Sequence, residues 1–262
     1  QPRGARPPLF CVHPGGGTAF CYASLTGYLG EEQPLYGLQA VGSHGEEAPL
    51  TRVEEMAARY IAEMRTVQSR GPYRLCGWSF GGIIAFEMGR QLCEQGEEVA
   101  PLFLIDSCAP ALFSDEPLDE VEFIQTMATV WRASIPETMV EELRQLDPPQ
   151  RPHRFVEAAR EMQAWPSGFD PARIEGLWEV YRANMQAGSR YDPSPWPATI
   201  RLLCAEPGEA LESPPTLGWD TLAATVDTRS VPGKHEVLLD EPCVRHVAEH
   251  LSAWIKEVES EA

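Results

Sequence analysis

Residues 77–81 read Gly77-Trp78-Ser79-Phe80-Gly81, a serine with a glycine two positions away on either side. A short strand-like run, Tyr73-Arg74-Leu75-Cys76, leads into it. Ile83-Ile84-Ala85-Phe86-Glu87-Met88 then opens a helical pattern. A strand-to-helix turn this tight excludes ordinary side chains at its flanks, and its strain pushes the serine hydroxyl out above the sheet. The chemistry available to such a serine is nucleophilic acyl transfer. The first N–H groups of the following helix, beginning with Phe80, face the same spot and can stabilise an oxyanion.

A serine hydroxyl needs a base to take its proton. Six histidines compete for that role: His13, His44, His153, His235, His246 and His250. His246 and His250 fall on a C-terminal helical pattern, His153 lies in a mid-chain segment, His44 sits in an acid- and glycine-rich loop, and His13 ends the first strand-like run. His235 lies in Val231-Pro232-Gly233-Lys234-His235-Glu236, between the last strand pattern and the last helix. That loop lies at the carboxyl edge of a parallel sheet, the edge on which the serine turn opens, and it keeps the order serine, acid, histidine. Two carboxylates could orient the imidazole. Asp106 ends Leu102-Phe103-Leu104-Ile105-Asp106, and Glu206 ends Leu202-Leu203-Cys204-Ala205-Glu206. Local sequence leaves that choice open, with a slight lean to Asp106.

An oxyanion site needs a second backbone N–H beside that of Phe80. The loop His13-Pro14-Gly15-Gly16-Gly17 follows the first strand-like run, and its glycines allow close approach to a substrate. It completes neither G-x-G-x-x-G nor G-x-x-x-x-G-K, so it is not a phosphate loop.

The elements that must position these groups alternate along the chain. Apolar runs at Leu9–His13, Leu35–Ala40, Tyr73–Gly77, Leu102–Asp106, Ile200–Ala205 and Thr225–Val231 read as buried parallel strands. Helical spacing places Val53, Met56, Ala57, Tyr60, Ile61, Met64 and Val67 on one face, and Val244, Val247, Ala248, Leu251, Ile255 and Val258 on another. Alternation of this kind predicts an α/β chain with a mostly parallel, doubly wound sheet. From about 109 to 197 the rhythm breaks. Helical stretches around Glu120–Ala133, Arg151–Trp165 and Ile174–Gln186 stand among eleven prolines, with no convincing strand. An insertion there is well placed to act as a lid over the site.

The whole chain sets outer bounds. Its 262 residues, 43% hydrophobic, suit one α/β domain with an insertion. The net charge of −18 opposes a nucleic-acid partner. No run of 18 apolar residues predicts a membrane span. Residues 1–7 read as a linker remnant, and 8–258 as the domain. Seven scattered cysteines without a C-x-x-C suggest neither zinc nor a redox pair and fit reduced thiols in a cytoplasmic protein.

Taken together, Phe10-Cys11-Val12-His13-Pro14-Gly15-Gly16-Gly17, Leu35-Tyr36-Gly37-Leu38-Gln39-Ala40, Gly71-Pro72-Tyr73-Arg74-Leu75-Cys76-Gly77-Trp78-Ser79-Phe80-Gly81-Gly82 and Gly233-Lys234-His235 resemble the type I thioesterase domains that end nonribosomal peptide synthetases. The resemblance runs from about Pro8 to Glu257. It implies an α/β-hydrolase fold with a lid between the strand ending at Asp106 and the strand starting near Ile200. It implies Ser79 as nucleophile, His235 as base, Asp106 rather than Glu206 as acid, and oxyanion donors at Phe80 and Gly15. It further implies no bound cofactor or metal, and a peptidyl thioester delivered on the 4′-phosphopantetheine arm of a carrier domain. Release is then by water or by a nucleophile of the peptide itself. Trp131, Trp165, Phe169, Trp178 and Tyr181 are candidates for lining the lid. Rival expectations are a free-standing thioesterase that clears misprimed carriers, a generic esterase, and a binder that kept only the fold. The last normally loses the serine or histidine, and both stand here.

Overall fold

Along β1 (Leu9–Val12), β3 (Arg74–Trp78) and β4 (Leu102–Ile105) every residue is buried. Such continuous burial is what central parallel strands need when helices cover both faces. The computed structural model, which describes residues 1–45, 47–113, 119–130, 135–162, 173–206 and 214–261, assembles them into one six-stranded parallel sheet. The remaining strands are β2 (Leu35–Leu38), β5 (Thr199–Ala205) and β6 (Thr225–Val231), in the order β2-β1-β3-β4-β5-β6. Sequence reading placed all six, with ends within two residues.

Side chains alternate along each strand, so the strands feed two cores. Phe10, Val12, Leu75 and Leu104 pack with α2 (Val53–Arg65) and α3 (Phe80–Glu94). Leu9, Cys11, Cys76 and Phe103 pack on the other face with α8 (Cys243–Glu261) and with Leu25 of α1 (Ala23–Leu29). The apolar face expected for α2 is buried from Val53 to Met64. Val67 departs from it: α2 ends at Arg65, and Val67 is exposed. The N-terminal residues follow the sheet edge, where Gln1 and Leu35 exchange backbone hydrogen bonds.

Among the described residues, four α-helices stand between β4 and β5: α4 (Glu120–Val130), α5 (Glu137–Gln145), α6 (Arg151–Met162) and α7 (Ile174–Arg190). They have an apolar centre of their own, including Phe123, Ile124, Leu143, Phe155 and Leu177. Helix α5 was not foreseen, although Met139, Val140 and Leu143 carry its buried face. The end of α7 is fastened to α3 of the sheet's flanking layer. Glu87 of α3, fully buried, accepts from Tyr191 Oη at 2.6 Å, from Arg90 Nε at 2.7 Å and from Gln91 Nε2 at 2.8 Å. Burial alone would raise the Glu87 carboxyl pKa, but these donors outweigh it and hold the group below its ordinary value.

Candidate active site

Strand order reverses around β1, with β2 on one side and β3 on the other. In an open parallel sheet such a switch point leaves a crevice beyond the carboxyl ends of the strands. The loop after β1 and the turn after β3 both open into it.

Ser79 is at the apex of the second turn, with φ 55° and ψ −131°, a region that non-glycine residues rarely occupy. The reason is steric. A Cβ on Gly77 would lie 2.3 Å from the Gly81 carbonyl, and one on Gly81 would lie 2.4 Å from the Val12 carbonyl oxygen. Only glycine at both places lets β3, the turn and α3 close against β1. The Ser79 N–H donates to Ile105 O at 3.1 Å, and Phe80 is the first residue of α3, where a helix leaves its N–H groups unpaired.

Asp106 follows β4 with φ 43°. Its Oδ1 accepts from the Ala205 N–H at 2.9 Å, and its Oδ2 lies 2.7 Å from His235 Nδ1. A carboxylate only accepts, so Nδ1 carries the proton and Nε2 is left as the basic nitrogen. His235 begins a short 3₁₀ turn after β6, and its ring lies 5.4 Å from that of Trp78. Glu206 directly follows β5, one residue past the end that the sequence suggested, and its side chain is exposed and makes no hydrogen bond to His235. The remaining histidines are elsewhere. His44 bonds Ser43, while His153 and His246 pair with acids on their own helices. His250 packs near Trp254. His13 is fully buried with both ring nitrogens engaged.

Ser79, Phe80, Asp106, His235, Gly15 and Gly16 all border one cavity of about 870 Å³. Phe113, Met127, Tyr181, Met185 and Leu217 give it an apolar wall, and Glu122, Gln125 and Thr126 of α4 add a polar strip. Of the aromatics named from sequence, Tyr181 faces the cavity. Trp178 does not, and stacks instead on Tyr181 and against Phe123. Trp131, Trp165 and Phe169 lie outside the described residues. Sequence reasoning missed Asn184. This buried residue of α7 donates from Nδ2 to Gly15 O at 2.8 Å, tying the insertion to the glycine loop. The available signal was one amide among Val180, Ala183 and Ala187 on a buried helical face. All seven cysteines are free thiols, and among the described residues no acidic, histidine or cysteine group is arranged to hold a metal. No helix among them is long and apolar enough to cross a membrane.

A family model described as thioesterase domain matches residues 7–255. The chain belongs to the thioesterase domain family. As a thioesterase domain it is a hydrolase acting on thioesters, built on the α/β-hydrolase fold. It is 52% identical over 105 residues to a dimodular nonribosomal peptide synthase of Bacillus subtilis (strain 168), a match covering 40% of this chain and 4% of that protein. Of the first curated relatives it spans 4%, 1% and 2% of the length. Among solved structures, it resembles part of a holo four-domain nonribosomal peptide synthetase bound to AMP and glycine. There the TM-score is 0.82 and the identity 33%, over 96% of this chain and 20% of that one. It also resembles the NocB thioesterase domain in covalent complex with a fluorophosphonate nocardicin G analogue. That match has a TM-score of 0.69 and 26% identity over 96% of both chains.

Proposed function

We propose that this thioesterase domain releases an acyl chain, foremost a peptide, from the phosphopantetheine thioester of a carrier domain, using Ser79, His235 and Asp106. The observation that carries the reading is the 2.7 Å bond between Asp106 and His235 Nδ1, on a cavity that Ser79 also borders. Relatives that are multidomain peptide synthetases support a carrier domain in the same polypeptide as the partner.

His235 Nε2 takes the Ser79 hydroxyl proton as Oγ bonds to the thioester carbonyl carbon. Charge gathers on the carbonyl oxygen, where the N–H groups of Phe80 and Gly15 receive it. The C–S bond then breaks, and the imidazolium returns its proton to the departing pantetheine thiol. Asp106 stabilises the imidazolium without itself taking a proton. His235 next removes a proton from water, or from an amine or hydroxyl on the same acyl chain. That nucleophile displaces Ser79 Oγ, which regains its proton. Water yields a linear acid and an internal nucleophile yields a ring. The apolar wall from the insertion favours the second by limiting water near the acyl-enzyme.

Incubation with a peptidyl-pantetheine thioester, followed by peptide mass spectrometry, tests the assignment. The acyl adduct is expected on Ser79 and absent in Ser79→Ala, which releases no product. An adduct mapped to another residue overturns it.

A further inference from the structure

We infer that His13 and Tyr60 form a buried latch that aims the Gly15 N–H at the reacting carbonyl oxygen, which makes both of them positioning residues. The inference rests on the proposed role of Gly15 as an oxyanion donor.

The Pro14 carbonyl and the Gly15 N–H belong to one planar peptide, so they point in opposite directions. Whatever fixes the carbonyl therefore aims the N–H. The Pro14 oxygen is held twice, by His13 Nδ1 at 2.8 Å and by the Gly17 N–H at 2.9 Å. The oxygen can only accept, so Nδ1 carries the proton. In a neutral ring Nε2 then accepts, and the Tyr60 hydroxyl, 2.7 Å away, donates to it. The direction of the whole chain follows: Tyr60 O–H to His13, and His13 N–H to Pro14 O.

Burial keeps the latch in this state. It lowers the His13 pKa to about 4, and it raises the Tyr60 phenol well above its ordinary value. The ring stays neutral and the hydroxyl keeps its proton at neutral pH. The ring of His13 also meets that of Tyr60 edge to face, at 87° and 5.5 Å.

A latch is needed because the donor sits in Gly15-Gly16-Gly17, the most conformationally free tripeptide available. Oxyanion stabilisation depends on donors fixed before the charge appears. A histidine that only filled space would also need partners for both nitrogens. What marks a latch is that losing the bond to Pro14 O moves the donor N–H.

Side-chain mimicry separates the latch from simple packing. In His13→Asn the amide Nδ2 stands where Nδ1 was and can still donate to Pro14 O. In His13→Gln the longer amide reaches toward Tyr60 and loses Pro14. Each variant, with Tyr60→Phe, is assayed on an acyl-N-acetylcysteamine thioester, with kcat expressed per fluorophosphonate-titrated site. Affinity for a trifluoromethyl ketone analogue, which forms a tetrahedral oxyanion on Ser79, is measured beside it. We expect His13→Gln to lower kcat about 10- to 100-fold with KM little changed, and to weaken the ketone by a similar factor. His13→Asn should recover most of both losses, and Tyr60→Phe should fall between the two. Equal effects of the two His13 variants, or full kcat per site in His13→Gln, overturn the latch. If neither His13 variant folds, Tyr60→Phe decides, and unchanged kcat and ketone affinity there overturn it. Ser79→Ala guards the underlying reading: turnover surviving in that variant refutes the serine mechanism, whereas a latch failure leaves Ser79→Ala inactive.

Discussion

At the scale of single residues, the site depends on which atom holds which proton. Asp106 Oδ2 fixes the proton of His235 on Nδ1, and Asp106 Oδ1 is itself held by the Ala205 N–H. Asp106→Asn keeps the shape but can present an N–H to Nδ1, which forces the other tautomer and removes the basic Nε2. We expect a loss of about 10⁴ in kcat for Asp106→Asn. Glu206→Gln, on an exposed side chain, should stay within about twofold. Steady-state kinetics on one thioester check both, and the reverse ranking would move the acid to Glu206. Local sequence leaned only slightly to Asp106, because each carboxylate directly follows one of two adjacent parallel strands at the same sheet edge. What separates them is backbone direction at Asp106, whose φ of 43° is a property of the folded turn. The turns that carry Ser79 and His235 were legible because a few neighbouring residues encode them. Asn184 and Tyr60 were not, since each acts on a partner far away in the chain, at Gly15 and His13.

At the scale of elements, the elbow is where sequence and structure agree most closely, and the reason is local sterics. A Cβ on Gly77 meets backbone atoms of Gly81 and Gly82 at 2.3–2.4 Å, and backbone cannot swing aside. Gly77→Ala should therefore cost more than about 3 kcal/mol or prevent folding, read from urea unfolding midpoints. Gly27 in α1 has open space around its Cβ position, so Gly27→Ala should stabilise by roughly 0.5–1 kcal/mol. Similar effects of the two changes would mean that Gly77 is not sterically required. The insertion was harder to read. Its short helices bury their faces against one another, so periodicity is brief and interrupted by proline, and α5 escaped notice. Its effect on the reaction is expected at the cavity wall. Met185→Gln keeps the side-chain length but makes a partly buried wall residue polar. For a substrate that cyclises, the variant should raise the fraction of linear acid while acylation of Ser79 by a small thioester changes little. Product ratios beside single-turnover acylation rates test this. An unchanged ratio with slower acylation would limit the insertion to a supporting role.

At the scale of the whole molecule, the sheet order was foreseeable only as a class. Alternating strand and helix patterns give a parallel doubly wound sheet, but they do not say which strand stands at the reversal. The structure puts β1 there, beside β3, which brings the glycine loop and the elbow into one crevice. The cost of building the loop on a buried histidine should appear in global stability. His13 titrates near pH 4 when folded, because burial penalises its charged form, and near 6.5 when unfolded. Between those values the unfolded chain binds a proton that the folded chain refuses, so stability falls as pH falls through that window. Above pH 6.5 the histidine is neutral in both states and costs nothing. By pH 4 the accumulated loss is about 3 kcal/mol. Other groups also titrate in this range, and with a net charge of −18 the molecule gains some relief from acidic repulsion on acidification. Comparison with His13→Asn removes those shared contributions. Urea unfolding at intervals from pH 7 to pH 4 should therefore show wild type losing about 3 kcal/mol more than His13→Asn, with the two curves parallel above pH 6.5. Curves that stay parallel throughout would mean that His13 takes up its proton in the folded chain, and that the buried ring is not the neutral donor assigned to it.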